Sequence, residues 1–218
     1  MRHQPAVFGL CYHPGRPRTD FMAQTARRLM SVEEFFDWQQ RQDFLYELVD
    51  GVPVPHVKMM TGASAQHDRV TVNIIAALHG QLRGTGCRPT TDDIGLRTGI
   101  STLRRPDVTV ECGDLILDSY ESRTPRLVVE VLSPSTSTID RFRKLEEYKR
   151  HPTIAYILLV ETRWPSATLY RLDGEAWMTQ AFEAIDDTID LPIIGARLRM
   201  TDVYDSMTFA PHREAPIS

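Results

Sequence analysis

Two apolar runs, RLVVEVL over residues 126–132 and IAYILLV over 154–160, restrict the possible folds more than any other feature of this chain. A strand with one wet face alternates apolar and polar residues. A run that is apolar throughout is buried on both faces, as in the interior of an α/β sheet. Between the two lies DRFRKLEEYKR (140–150), which places Phe142, Leu145 and Tyr148 at helical spacing, while Ser137 followed by Asp140 signals a helix start and Pro152 a stop. Strand, helix and strand in this order predict a βαβ unit, with Phe142, Leu145 and Tyr148 facing the core and Lys144 on the flank. One residue breaks the apolar pattern of the first run: Glu130.

The remaining text is orderly from Ser31 onward. SVEEFFDWQQ reads as a short helix, with Ser31 and Glu34 forming a capping box. FLYELVDGVPVPHV (44–57) is a β-hairpin turning at Asp50-Gly51. Residues 64–83 carry Val70, Ile74, Ala77, Leu78 and Leu82 on one helical face, and Gly84 and Gly86 stop that helix. Strand pieces follow around DIGLRT and PDVTVECGD, and a second hairpin turns at Asp173-Gly174. Strands outnumber helices, so the expected class is α/β with an α+β mixed sheet flanked by helices and an N-terminal β-hairpin. The expected division is a disordered basic extension over 1–28, one folded domain over 29–210 and a tail over 211–218, with Met22 as an alternative start of translation.

At 218 residues the chain supports one well-buried core. No stretch approaches the roughly 20 apolar residues that span a bilayer, so no membrane association is expected. Cys11, Cys87 and Cys112 are odd in number and show no CxxC spacing, which suggests neither a disulfide framework nor a zinc knuckle and makes a reducing cytoplasm the natural compartment. Residues 1–28 hold five Arg and one Asp, a net of +4, so the remainder carries −8 of the total of −4. An acidic body argues against a non-specific nucleic-acid coat, but not against an enzyme that meets phosphate through a cation and a local basic patch.

Glu130 lies in a run that is buried on both sides, where an ionised carboxylate costs several kcal/mol unless it is paired or binds metal. Asp107 stands at the mouth of PDVTV, behind the stiffening Pro106. Carboxylates on neighbouring strands can share a hard divalent cation, which favours oxygen ligands and offsets charge on a phosphorus centre. Glu47 sits in an otherwise apolar strand, as a further acidic group or as half of a cross-strand ion pair. His67 opens the long helix, where an imidazole can touch phosphate or hold a structural partner.

YELVDG (46–51), the His67 helix, PDVTV (106–110), VVEVLSPST (128–136) and DRFRKLEEY (140–148) together resemble the putative restriction endonuclease family of the PD-(D/E)XK nuclease superfamily, over residues 29 to 208. The resemblance implies a restriction-endonuclease-like core and a Mg2+- or Mn2+-dependent endonuclease acting on DNA, on duplex before single strands, possible as a homodimer. It implies Glu47 as a third acidic group beside the metal ligands Asp107 and Glu130, and His67, Arg105 and Arg141 are the expected contacts to nucleic acid. The superfamily pattern would put a lysine two residues after Glu130, where this chain has Leu132. The resemblance moves that role to Lys144 on the following helix, from which a long side chain can reach the carboxylates. The rival expectations are a non-catalytic module that binds nucleic acid or protein on the same fold, and an RNase.

Overall fold

The computed structural model describes residues 28–56, 64–132 and 138–209. The extension up to residue 27, the Ser137 cap and the tail over 211–218 lie outside the described residues; Arg28 is exposed and paired with Glu34. Helix α1 (Val32–Gln39) starts on the expected capping box, with Ser31 Oγ accepting from the Glu34 amide and Glu34 accepting from the Ser31 amide. Strands β1 (Tyr46–Val49) and β2 (Val52–Pro55) form the first hairpin. Its turn residues Asp50 and Gly51 have φ of +49° and +77°, and a Cβ on Gly51 would lie 2.7 Å from that of Leu29, so only glycine fits. Helix α2 (Ala65–Leu82) buries Val70, Ile74, Leu78 and Leu82 at four-residue spacing. There follow β3 (Cys87–Thr91), β4 (Gly95–Gly99), β5 (Thr102–Arg104), β6 (Val108–Cys112), β7 (Glu121–Ser122), β8 (Pro125–Leu132) and α3 (Thr138–Lys149). Then come β9 (Tyr156–Glu161), β10 (Ala167–Asp173), β11 (Ala176–Phe182), β12 (Thr188–Leu191), β13 (Ala196–Arg199) and the short α4 (Met200–Val203).

The strands form a mixed six-stranded sheet in the order β11-β10-β9-β8-β6-β3, a five-stranded sheet in the order β2-β1-β5-β4-β7, and the β12–β13 ribbon. The two apolar runs are β8 and β9, paired in parallel from Leu127 opposite Tyr156 to Leu132 opposite Glu161, with α3 between them. Their alternation explains why both runs are apolar. Leu127, Val129 and Val131 enter the core under α2, whereas Val128 and Leu132 enter the core under α3 with Leu145 and Tyr148. Each fully buried Leu or Val contributes about 1.5–3 kcal/mol. Glu130 takes the α3-side position between Val128 and Leu132, where an apolar residue would otherwise pack. The chain is thus a mixed α+β fold with mixed sheets flanked by helices.

Three details depart from expectation. Phe142 is 65% exposed rather than in the core, because α3 turns Arg141, Lys144, Leu145 and Tyr148 inward instead. These positions follow the i, i+3, i+4, i+7 pattern of one helical face. In the second hairpin, Asp173 still pairs with Ala176, which moves the turn to Gly174-Glu175. Cys87 and Cys112 are joined by a disulfide, against the expectation of free thiols. They are 25 residues apart and become neighbours only because β3 and β6 pair in the register that sets one opposite the other. Among the described residues no helix is long and apolar enough to cross a membrane.

Candidate functional site

The chain leaves β5 in the smaller sheet and enters β6 in the larger one through Arg105, Pro106 and Asp107, all buried. Asp107 therefore stands at the seam between the sheets. The register pairing Val108 with Val129 carries it to the level of Glu130 on β8. Its Oδ2 accepts the Val131 amide at 2.6 Å, and its Oδ1 is 3.2 Å from Nε2 of His67. His67 is the third residue of α2, where Ser64 Oγ accepts its backbone amide. The imidazole is buried against Asp107, a holding role rather than one turned to solvent.

Glu130 meets α3. Its Oε1 accepts the Tyr148 hydroxyl at 2.5 Å and lies 3.8 Å from Lys144 Nζ, while Oε2 has no partner among the described residues. Burial pushes the Glu130 carboxyl up; Lys144 opposes the rise, Asp107 adds to it, and the result is about 7. Burial likewise opposes the charge on Lys144, but Glu130 and then Glu47 outweigh it and hold the ammonium well above the ordinary lysine value. Lys144 is therefore a fixed positive charge at neutral pH, not a proton acceptor.

Glu47 lies on β1, and the register that sets Leu48 opposite Leu103 puts it across from Arg104. Its Oε2 accepts from Arg104 Nη1 at 3.0 Å; its Oε1 accepts the Arg105 amide at 3.0 Å and lies 3.0 Å from Lys144 Nζ. Burial would raise this carboxyl, yet Lys144 and Arg104 overcome it and hold the group at about 2. Arg104 also grips Glu147 through two hydrogen bonds of 2.7 and 2.8 Å. Of the readings open for Glu47, the cross-strand ion pair is realised: it is a counter-ion for two cations rather than a third oxygen beside Asp107 and Glu130. Among the described residues, no group of three or more His, Cys, Asp or Glu side chains is arranged to hold a metal ion. The oxygens suited to a hard cation are those of the Asp107–Glu130 pair.

The seam thus gathers Asp107, Glu130, Lys144, Glu47 and His67. Arg105 is close in the chain but turned away, its guanidinium donating to the carbonyls of Tyr46, Asp92 and Asp93. That buried cation locks loop to strand and offers nothing to a phosphate. Arg141 stays at the site, lining a pocket of about 20 Å³ with Glu130, Lys144 and Tyr148, and its Nε has no hydrogen-bond partner among the described residues. So small a pocket has room for about one water. Sequence reasoning missed Arg104 and the hydroxyl of Tyr148. The available signal was a Tyr, not a Phe, at a core position of the helix that faces Glu130.

A family described as Putative restriction endonuclease, Uma2, matches residues 32–201. The chain is similar to the uncharacterized protein slr1290 of Synechocystis sp. (strain ATCC 27184 / PCC 6803 / Kazusa), with 30% identity over 183 residues, 83% of this chain and 94% of that protein. Its fold is similar to a crystal structure described as a putative nuclease belonging to DUF820 from Anabaena variabilis ATCC 29413. The TM-score is 0.63 at 15% identity, covering 80% of this chain and 97% of the other. With the family match spanning both carboxylates, Lys144 and Glu47, this chain belongs to the Uma2 family of restriction-endonuclease-like nucleases.

Proposed function

We propose that this chain is an endonuclease that hydrolyses DNA phosphodiester bonds with Mg2+ or Mn2+ held by Asp107 and Glu130. The observation that carries the reading is the approach of Lys144 from α3 to Glu130, since it supplies the cation that Leu132 cannot. The donor set fits a divalent ion. Both ligands are hard oxygens, Oε2 of Glu130 is unpaired among the described residues, and a carboxyl pushed up to about 7 by burial and the Asp107 charge gains from a nearby positive ion. When bound, the cation supplies Lewis-acid stabilisation of the charge that develops on the phosphate. The protein's own groups do the rest. His67 and the Val131 amide hold Asp107 in place. Lys144 offers a permanent charge to the phosphate or to the attacking water. Glu47 keeps that ammonium at the seam, and Arg141 is the nearest further phosphate contact.

The test is Mn2+-dependent cleavage of plasmid DNA, single-stranded DNA and RNA by the wild type and Asp107→Asn. Cleavage of duplex DNA that falls by about a thousandfold in the variant is expected, the upper range for loss of one electrostatic group. Cleavage of RNA alone would move the substrate. No cleavage of any of the three, together with little carboxylate-dependent Mn2+ binding, would leave a binding module.

A further inference from the structure

Tyr148 is wholly buried on α3, packed in the core that contains Val128, Leu132 and Leu145. A phenol there needs a partner for its hydroxyl, and the one it has is Oε1 of Glu130, at 2.5 Å. Lys144, one helical turn earlier on the same face, is 3.8 Å from the same oxygen, beyond hydrogen-bond distance. The tyrosine, not the lysine, therefore fixes this carboxylate. The ring is clamped by apolar neighbours, so its hydroxyl cannot follow a rotating Glu130. With Oε1 committed to the helix, only Oε2 remains free among the described residues.

We propose that Tyr148 is the positioning residue of the carboxylate pair: its hydroxyl pins Oε1 of Glu130 so that Oε2 alone is presented to the cation, making Glu130 a one-oxygen ligand and the site selective for small divalent ions. This rests on the reading of Asp107 and Glu130 as the cation's ligands. The consequence is chemical. Mg2+ demands near-ideal octahedral geometry, whereas Ca2+ takes more oxygens and accepts carboxylates through both. A pinned glutamate serves the first and withholds an oxygen from the second. Releasing Oε1 would favour the larger ion.

Tyr148→Phe keeps the packing and removes the pin. Mg2+ and Ca2+ affinities would be measured by competition against Mn2+, followed by its electron paramagnetic resonance, with thermal melting alongside. The expected result is a shift of the Mg2+ to Ca2+ affinity ratio toward Ca2+ by about tenfold, the scale of one charge-assisted hydrogen bond. An unchanged ratio overturns the proposal. So does an equal loss for both ions with a lowered melting point, which is what a purely packing role would give. A second measurement needs no Tyr148 variant. The infrared difference spectrum of the wild type on adding Mg2+ should show Glu130 bands, absent in Glu130→Gln, with the wide separation of carboxylate stretches that one-oxygen binding produces. A narrow separation overturns the proposal. Wild-type binding that Asp107→Asn leaves intact, or no binding at all, would instead sink the ligand reading beneath it and this proposal together.

Discussion

Lys144 stands between two glutamates, 3.0 Å from Glu47 Oε1 and 3.8 Å from Glu130 Oε1, and their surroundings treat them in opposite ways. Glu47 belongs to the smaller sheet and has both oxygens engaged, by Arg104, by the Arg105 amide and by Lys144. Glu130 belongs to the larger sheet and has one oxygen on a neutral phenol and the other unpaired among the described residues. The first carboxyl is held at about 2 because Lys144 and Arg104 outweigh burial; the second is raised to about 7 because burial and Asp107 outweigh Lys144. Burial is similar, and the local balance of charge decides. The smaller sheet provides an ion network that fixes the lysine, and the larger sheet presents a glutamate whose charge is disfavoured by burial and by Asp107. The two glutamates thus differ in their partners, not in their depth.

The contrast is broken most severely at Glu47. Glu47→Gln leaves Arg104 and Lys144 each one buried partner short, and breaking a buried ion pair from one side costs about 3–5 kcal/mol. For a domain of this size that is a drop in melting temperature of roughly 6–20 °C. Scanning calorimetry at neutral pH measures it. A loss below about 1 kcal/mol, the value of a solvated pair, would mean the network is open to water and Glu47 is not its anchor.

Lys144→Met sharpens the comparison by removing the charge that both glutamates share. Glu47 retains Arg104 and the Arg105 amide, so the fold should hold. Cleavage should fall about a hundredfold while Mn2+ binding survives, the loss typical of one electrostatic contact in the transition state. Lys149 is the control: it pairs with Glu146 and lies over the Tyr170 ring, away from the seam. Equal losses in Lys144→Met and Lys149→Met would reduce both to members of a diffuse basic face.

The same two glutamates mark how far the sequence could be read. Glu130 was legible because it interrupts an apolar run, and Asp107 because Pro106 puts it at a strand mouth. The βαβ unit followed from the two buried runs. Glu47 stayed ambiguous because Arg104, which decides its role, is 57 residues away and becomes its neighbour only through the β1–β5 register. The phase of α3 was misjudged at Phe142 by treating the apolar residue as the inward one. The seam instead turns Lys144 and Arg141 inward, where Glu130 and Glu47 compensate the lysine, and leaves a phenylalanine in solvent. The cysteine pair was hidden in the same way as the Glu47–Arg104 pair. Local patterns report burial and turns; they do not report which distant strand lies opposite.

The last expected effect has the opposite sign from Glu47→Gln. In metal-free buffer with chelator, Glu130→Gln should stabilise the fold, in a pH-dependent way. Burial raises the Glu130 carboxyl from 4.5 to about 7 in the folded chain. Between those values the folded state holds a proton that the unfolded state has released, so wild-type stability falls as pH rises from about 4.5 to about 7 and is level above that. Gln cannot ionise and mimics the protonated acid, so the variant escapes that loss. Its advantage should be absent below about pH 4.5, grow through the window, and reach up to about 3 kcal/mol by pH 8, less where solvent reaches the side chain. Glu47 has the reverse linkage: its carboxyl is depressed to about 2, so its contribution is complete above pH 4.5 and is lost as the solution is acidified toward 2. Denaturant titrations of wild type and Glu130→Gln from pH 4 to 8 would show the two curves meeting at the acid end and separating toward neutrality. Parallel curves would mean that Glu130 ionises normally in the folded chain, and the difference between the two glutamates would then lie in geometry alone.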